Sequence, residues 1–437
     1  MKKYKTTKIF TGIIFLTMMG LSSCEINPIE DPNNPSEAVI SANATLSEIQ
    51  NVVDGSESAL REQLNQYYDG VSVIGREWYR FSGSDPRFTS DLLGKGAAVL
   101  DANTFYTTQP FAARYRAVKN LNILIDALTN STAVTDADKR RAGIAYAKTL
   151  QAYQLLMVLN EQYGNGVRVD VKNPDALGLF LDKNASLDAI ANMLNEAHND
   201  LKNNTAAFPF NEYVYGTTPS QFDKFNRAIA ARVNVYRADW NNALSALNES
   251  FYNISSPLTE GAYHQYSITG GDLLNPVYFP PNSTGETRVA QPSFITDAES
   301  GDTRLNKVSL RTTAASLDGL TSDYDVAVYK TDVDPVPIIR NEELILIYAE
   351  CNAQNGTTTE AVNAINTIRT AAGLSNYSGG TSTQELIDEI LKQRRYSLYG
   401  EGHRWVDMRR YGKLGDLPID RPGDDVWVEF PRPDTEN

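Results

Sequence analysis

The sequence contains very little cysteine and histidine, with two Cys and three His among 437 residues. The cysteines, Cys24 and Cys351, are too few for a disulfide framework. The histidines, His198, His264 and His403, lie far apart, and no HExxH pattern or Cys/His cluster offers the spacing of metal ligands. The sequence therefore predicts neither a structural metal nor any other cofactor.

Positive charge is also scarce, because 40 Lys and Arg residues face 54 Asp and Glu residues, giving a net charge of −14. No basic cluster follows the first eight residues, so a nucleic-acid-binding function is excluded. Patterns of enzymes are missing as well: there is no G-x-S-x-G elbow, and the Gly-Lys-Gly at 94–96 is too short for a phosphate-binding loop. Nothing in the sequence selects a pair of carboxylates for glycoside hydrolysis, but because the fold sets their separation, a glycan-degrading enzyme stays an alternative.

Long apolar runs are absent apart from one short stretch at the N-terminus, which excludes a protein with several membrane spans. Residues 1–8 carry four positive charges, and residues 9–20 are mostly apolar, as in a secretory signal peptide. The following Leu-Ser-Ser-Cys at 21–24 resembles a bacterial lipobox. We therefore predict a signal peptide over 1–23 and lipidation of Cys24; the alternative is an ordinary signal peptide with an incidental cysteine.

The segment 24–36 is acidic and rich in Pro and Asn, which predicts an extended tether between the lipid and the folded body. Beyond it, apolar residues recur with helical periodicity, as at Leu121, Leu124 and Leu128. Ser186 and Ser220 are predicted N-caps, and residues 237–240 are predicted to break a helix. The helix pair over 340–372 is close in length to a tetratricopeptide repeat. These patterns predict a mainly α protein made of helical hairpins.

Two long stretches, 70–110 and 252–338, show no sustained helical period. We predict that both are irregular loops, which in a compact protein are usually functional when they are this long. Within the second stretch, the alternating acids Asp323/Asp325 and Asp332/Asp334 leave a calcium site open, although solvated turns are the simpler interpretation.

Three ordered motifs lie near the C-terminus: RNEELILIYAECNAQNG (340–356), AVNAINTIRTAAGL (361–374) and ELIDEILKQRRYSLYGEGHRWVDMRRYGKL (385–414). Together they resemble the SusD/RagB family of outer-membrane nutrient-binding lipoproteins. The resemblance implies a SusD-like helical scaffold of four tetratricopeptide-like hairpins with long loop-rich insertions. On this basis 37–300 is an N-terminal helical region with ligand loops, and 301–437 is the C-terminal SusD/RagB region.

The same resemblance implies a non-enzymatic lipoprotein, anchored in the outer membrane through its lipid and facing the exterior. Its partners would be a SusC-type TonB-dependent transporter and a captured oligosaccharide. A peptide ligand remains an alternative, as does a repeat scaffold that organises outer-membrane proteins without binding a nutrient.

The arginines and acids packed around Glu401-Gly402-His403 are best interpreted as a structural network of ion pairs. For ligand binding, the aromatic residues of the predicted loops are the candidates, because sugar rings stack on aromatic faces while polar side chains bind hydroxyl groups. The alternative is that these rings fasten the loops to the scaffold or face the transporter. The predicted ligand-binding residues are Trp78, Tyr79, Arg80, Asp85, Tyr263, Tyr278 and Phe279.

Overall fold

The computed structural model describes residues 36–436, so the predictions for the signal peptide, for Cys24 and for most of the tether lie outside the described residues. The helices are α1 (Glu37–Asn43), α2 (Leu46–Ala59), α3 (Leu64–Ile74), α4 (Phe105–Asn130), α5 (Ala137–Gln162), α6 (Lys183–Leu201), α7 (Pro219–Tyr236), α8 (Trp240–Glu249), α9 (Ser293–Thr296), α10 (Asn341–Gln354), α11 (Thr358–Ala371), α12 (Thr383–Ser397) and α13 (Arg404–Arg410). The strands are β1 (Trp78–Ser82), β2 (Val167–Arg168), β3 (Phe180–Leu181), β4 (Gly261–His264), β5 (Glu286–Ala290), β6 (Val308–Leu317), β7 (Leu320–Val326) and β8 (Val336–Arg340).

The helices pack on one another in a continuous series. Contacts run from α2 to α4, and then between each consecutive pair from α4 to α8; α8 contacts α10, which packs against α11 and α12. The periodic residues Leu121, Leu124 and Leu128 have no exposed surface, as their spacing predicts. The predicted mainly α fold of helical hairpins is confirmed.

Helix α6 begins earlier than predicted. Its N-cap is Asp182, whose carboxylate accepts a hydrogen bond of 2.9 Å from the Ala185 N–H. The prediction of Ser186 as N-cap is wrong because Asp182 is an equally good cap and precedes it. The Ser186 hydroxyl instead accepts a hydrogen bond of 3.1 Å from the Val167 N–H, which joins α6 to β2.

Helix α7 also begins earlier, with Thr218 as N-cap and Pro219 at the first helical position. The prediction of Ser220 as N-cap is wrong, because the fixed φ of Pro219 suits the first helical position and the cap is then the residue before it. The predicted break between α7 and α8 is confirmed, and it is made by Ala238, whose φ is 56°.

The two stretches predicted as irregular loops contain most of the strands. A four-stranded antiparallel sheet has the order β1-β5-β7-β6, and β4 pairs with β8. The prediction of loops is wrong here because these strands are short and β1 is buried on both faces, which removes the alternating pattern of a half-exposed strand. The predicted boundary between residues 300 and 301 falls between β5 and β6 of this sheet, and it stays a prediction.

The core forms one large hydrophobic cluster and a second, smaller one between α10, α11 and α12. Cys351 is fully buried in the large cluster, where burial raises the pKa of its thiol, as expected for an inert core cysteine. Among residues 36–436, none of the helices has both the length and the apolar character needed to cross a membrane.

Candidate functional site

The first predicted ligand cluster lies in strand β1 and not in an exposed loop. Trp78 is 0% and Tyr79 is 2% exposed, and all five residues of the strand are buried. Tyr79 stacks on Phe81 with 5.8 Å between ring centroids. A role for Trp78 and Tyr79 in ligand binding stays a prediction, and it requires exposure that the packed strand does not give these rings.

Arg80 and Phe279, both predicted to bind ligand, contact each other. The Arg80 guanidinium lies 4.9 Å from the centre of the Phe279 ring and forms an ion pair with Glu286. Arg288 lies 4.7 Å from the same ring and binds Asp69 at 2.6 Å. Phe279 is therefore held by two arginines that are themselves paired, and this contact fastens its loop to the sheet.

Asp85 and Tyr278 lie near the same sheet but in separate local environments. The Asp85 carboxylate accepts hydrogen bonds from the backbone N–H and the Nε of Arg87, at 3.0 and 2.9 Å. The hydrogen bonds from Arg87 hold the pKa of Asp85 below its usual value. Tyr278 is half-buried against the hydrophobic core. The ligand contacts predicted for both residues stay predictions.

Tyr263, the remaining predicted residue, lines a wide groove on the surface. One part of the groove has a volume of about 790 Å³ and an adjoining part about 330 Å³. Both parts are lined by Tyr213, Val214, Tyr263 and Gln265, so they form one continuous depression. We call it the aromatic groove.

Tyr213 was not identified from the sequence, although it is the most exposed aromatic side chain of the groove. It is 67% exposed, whereas the neighbouring Val214 is buried and Tyr215 is half-buried. The alternation of two tyrosines around a buried valine was the available signal for rings on one face of an extended segment. Tyr213 lies in the connection between α6 and α7, residues 202–218, and outside the two long stretches 70–110 and 252–338.

A half-buried carboxylate of α2 holds Tyr213 in place. Glu57 Oε1 accepts a hydrogen bond of 3.0 Å from the Tyr213 N–H and one of 2.6 Å from the Tyr146 hydroxyl. The Tyr146 ring in turn packs against Phe210, with 5.2 Å between ring centroids. Burial raises the pKa of Glu57. The rim of the groove is thus built on residues of the core.

A second carboxylate, Glu212, supports the next two residues. Its Oε2 accepts hydrogen bonds from the N–H groups of Val214 and Tyr215, at 2.8 and 3.0 Å. Its Oε1 is buried and has no hydrogen-bond partner in the described part of the chain. Burial raises the pKa of Glu212 to about 7, so the group is close to the point at which it can either donate or accept a hydrogen bond at neutral pH.

The opposite wall of the groove is polar. Arg61 forms an ion pair of 2.6 Å with Asp272, donates to the carbonyl of Gln265 at 2.6 Å and lies over the Tyr266 ring. Exposed tyrosine faces on one side and paired polar groups on the other can stack on a sugar ring and bind its hydroxyl groups. The groove therefore has the chemistry of a site for a neutral, hydroxyl-rich ligand.

The C-terminal motifs form a buried network of ion pairs, as predicted. Arg394 Nε binds Asp407 at 2.6 Å, and Arg410 binds both Asp407 and Glu350, at 2.9 and 2.8 Å. His403 is buried beside these groups, and burial lowers its pKa to about 4. These contacts join α10, α12 and α13, so the structural interpretation of this block is supported by its geometry.

Residues 36–436 contain no group of three or more His, Cys, Asp or Glu side chains placed to hold a metal ion. Asp325, one of the alternating acids, is buried and paired with Arg311. His198 is buried and lies 2.9 Å from Asp223, as a satisfied core histidine.

Comparison with known proteins relates the C-terminal part of the chain to a sequence family. A sequence model of the SusD family matches residues 298–427. The SusD-like protein P38 of Formosa agariphila is 34% identical over 106 residues, which is 22% of this chain and 21% of that protein. The sequence match thus spans about a fifth of this relative's length.

Solved structures share the fold over most of the chain. Surface glycan-binding protein A from Bacteroides thetaiotaomicron has a TM-score of 0.70 at 16% identity, over 91% of this chain and 97% of its own. A complex of surface glycan-binding protein A from the same organism with laminarihexaose has a TM-score of 0.66 at 17% identity, over 90% and 97% of the two chains. At such identities the likeness shows the fold alone.

The family model, the relative and the shared fold agree with the three C-terminal motifs. The predicted SusD-like fold is confirmed. The prediction of a non-enzymatic protein agrees with the match of residues 298–427 to the SusD family. Residues 298–427 thus match the SusD family, and the chain shares the fold of solved SusD superfamily structures.

Proposed function

We propose that this protein captures a nutrient saccharide in the aromatic groove and delivers it to a SusC-type TonB-dependent outer-membrane transporter. The observation that carries the proposal is the exposed Tyr213, held by the half-buried carboxylate of Glu57 at the rim of a groove that also contains Tyr215 and Tyr263. An aromatic ring that is largely exposed to solvent and held in a fixed position is typical of a surface on which a ligand stacks.

The SusD family match over residues 298–427 and one structural neighbour support a saccharide as the ligand. The neighbour crystallised with laminarihexaose has the same fold over nearly its whole length. A groove of about 790 Å³ has room for several sugar units, which favours an oligosaccharide over a single sugar. The groove residues of this chain then decide which saccharide binds.

The location that we propose follows from the N-terminus. The signal pattern over 1–23 and the lipobox-like cysteine at 24 support an acylated protein on the outer membrane, and the acidic tether over 24–36 supports a body held away from the bilayer. A lipid anchor would keep the groove close to a membrane transporter without any spanning helix.

The ligand is tested with thermal unfolding of the purified protein in the presence of oligosaccharides, laminarihexaose among them, and of a peptide library. A ligand that binds only the native state raises Tm in a concentration-dependent manner. We expect a shift with one class of oligosaccharide. A shift with peptides alone would replace the saccharide by a peptide ligand, and no shift with either would favour a scaffold that organises outer-membrane proteins.

The partner is tested by a mild-detergent pull-down of the tagged protein from its own outer membrane, followed by mass spectrometry. We expect a large β-barrel transporter in a stoichiometric amount. Recovery of the protein alone, or with unrelated envelope proteins, would contradict delivery to a transporter while leaving saccharide binding intact.

A further inference from the structure

A second pocket, separate from the aromatic groove, lies where the end of α5 meets the start of α6, the turn between α7 and α8, and α13. Its volume is about 280 Å³. We call it the cationic pocket and define it by Tyr163, Lys183, Arg237, Trp240, Arg409 and Arg410.

The charge of this pocket is opposite to that of the whole protein. Four of its lining residues are Lys or Arg, and none of them is Asp or Glu. The chain as a whole carries a net charge of −14. A concentration of positive charge in a concave site on an acidic protein attracts anions and repels other acidic macromolecules.

Two of the four cations form ion pairs with carboxylates that do not line the pocket. Arg237 binds Asp188 at 2.8 Å, and Arg410 binds Glu350 at 2.8 Å, with the acids outside the lining of the pocket. The charges of Arg237 and Arg410 are therefore largely balanced. Both side chains offer hydrogen-bond donors to a ligand but add little to the positive potential of the pocket.

The other two cations, Lys183 and Arg409, form no ion pair within residues 36–436. Arg409 donates only to backbone carbonyls, those of Val428 and Asn160, each at 2.7 Å, and its Nε is buried without a partner among the described residues. The side chain is 7% exposed, and burial lowers its pKa to about 10. A buried cation that no ion pair among the described residues neutralises favours an anion nearby, although the charge of Glu429 already acts on Arg409.

Aromatic surface lies beside these charges. Lys183 Nζ is 4.9 Å from the centre of the Tyr163 ring, and the Arg409 guanidinium is 4.1 Å from the same ring. Trp240 lines the same pocket and is half-buried. A ring-shaped ligand can stack here while a charged substituent meets Lys183.

The backbone at the pocket is strained in two places. Tyr163 and Ala238 both line it, with φ values of 42° and 56° in a region that non-glycine residues rarely adopt. Strain of this kind collects at ligand sites, where the surrounding structure holds residues in unusual positions.

We infer that the cationic pocket binds a single sugar ring that carries a carboxylate, that is, a uronate. The volume lies just below the roughly 300–1,000 Å³ usual for small-molecule sites, which fits one ring and not an oligosaccharide. Lys183, which forms no ion pair among the described residues, and the absence of acids from the lining favour the carboxylate of the ligand. The faces of Tyr163 and Trp240 favour its sugar ring. The inference does not depend on the aromatic groove or on its ligand.

The test is isothermal titration of the detergent-solubilised full-length protein with glucuronate, glucose, acetate and inorganic phosphate at low ionic strength. We expect glucuronate to bind at least roughly tenfold more tightly than the other three, because only glucuronate offers both ring and charge. Glucose binding as tightly would remove the role of the charge. Acetate or phosphate binding as tightly would remove the role of the ring, and either result overturns the inference.

Variants locate the site. Lys183→Gln should weaken glucuronate binding roughly tenfold, Lys183→Arg should retain it, and Lys224→Gln, which removes an exposed lysine that does not line the pocket, should leave it unchanged. Tyr213→Ala in the aromatic groove should also leave it unchanged, which separates this site from the proposed function. Unaltered binding by Lys183→Gln would overturn the assignment to this pocket.

Discussion

The hydroxyl of Tyr146 donates a 2.6 Å hydrogen bond to Glu57 Oε1, the same oxygen that accepts the backbone N–H of Tyr213. Tyr146 is fully buried on α5, whereas Tyr213 is largely exposed at the rim of the aromatic groove. A single carboxylate oxygen thus connects the helical core to the ligand platform. The position of Tyr213 therefore depends on a residue that is itself held by a hydrogen bond between α2 and α5.

Removing this hydroxyl tests the connection. Tyr146→Phe should lower the free energy of unfolding by about 1 kcal/mol, because the half-buried Glu57 loses one of its donors, and it should raise the pKa of Glu57 further. Hydrogen exchange at the Tyr213 amide should become faster. Urea unfolding and exchange mass spectrometry measure these effects. Tyr329→Phe is the control, because its buried hydroxyl has no partner in the described structure and its loss should cost little.

The pH dependence of stability reports on Glu212. Its native pKa is about 7, compared with 4.5 for an unperturbed glutamate, so between these values the native state holds a proton that the unfolded state has released. The free energy of unfolding should therefore fall as pH rises from 4.5 to 7, by up to about 3 kcal/mol from this group.

Glu212→Gln isolates this contribution, because glutamine keeps the acceptor for Val214 and Tyr215 and does not titrate. Urea unfolding at several pH values should show the variant gaining stability over the native protein as pH rises through this window. Parallel pH profiles for the two proteins would contradict the perturbed pKa.

A buried ion pair between α7 and α10 gives the opposite pH dependence. Burial alone would raise the pKa of Glu343, but the charge of Arg232 and their 2.7 Å hydrogen bond outweigh it and hold the pKa near 2. The pair therefore contributes stability above pH 4.5, and the contribution is lost as pH falls toward 2.

Glu343→Gln should destabilise the protein by about 3–5 kcal/mol at pH 7, since Arg232 is left buried without its counterion. Denaturant unfolding measures the loss. The double variant Arg232→Met with Glu343→Leu is the control and should recover much of it, because both charges are then absent. A double variant as unstable as the single one would mean that packing, and not the unpaired charge, causes the loss.

Lipidation of Cys24 is tested by metabolic labelling with an alkyne fatty acid. The native protein should carry the label and fractionate with the outer membrane, and Cys24→Ser should lose both properties. Cys351→Ser should keep both, since this thiol is buried in the core. A labelled Cys24→Ser protein would exclude the predicted attachment site.

Sequence reasoning identified the helices and the family more reliably than the site. Helical periodicity depends on local neighbours, so α4 and the pair α10–α11 could be predicted from spacing alone. Helix starts were less certain, because Asp182 and Ser186 are both acceptable caps and tertiary contacts choose between them.

The site could not be predicted because exposure depends on the sheet. Trp78 and Tyr79 resemble a ligand cluster in sequence, but pairing of β1 with β5 buries both rings. Tyr213 carried a weaker local signal, and only the support from Glu57 on α2, distant in sequence, makes it an exposed and fixed platform. Tyr263 lines the groove, and the ligand contact predicted for it stays a prediction.

The most direct test of the central claim is calorimetric titration of the oligosaccharide found by thermal unfolding into the native protein and into Tyr213→Ala. The stacking surface is lost in the variant, so the account predicts a Kd weaker by roughly two- to tenfold, with Tm unchanged because the side chain is 67% exposed. Leu179→Ala, which removes an apolar side chain that is 85% exposed and does not line the groove, should bind as the native protein does. Equal affinity of the native protein and Tyr213→Ala would contradict capture in the aromatic groove.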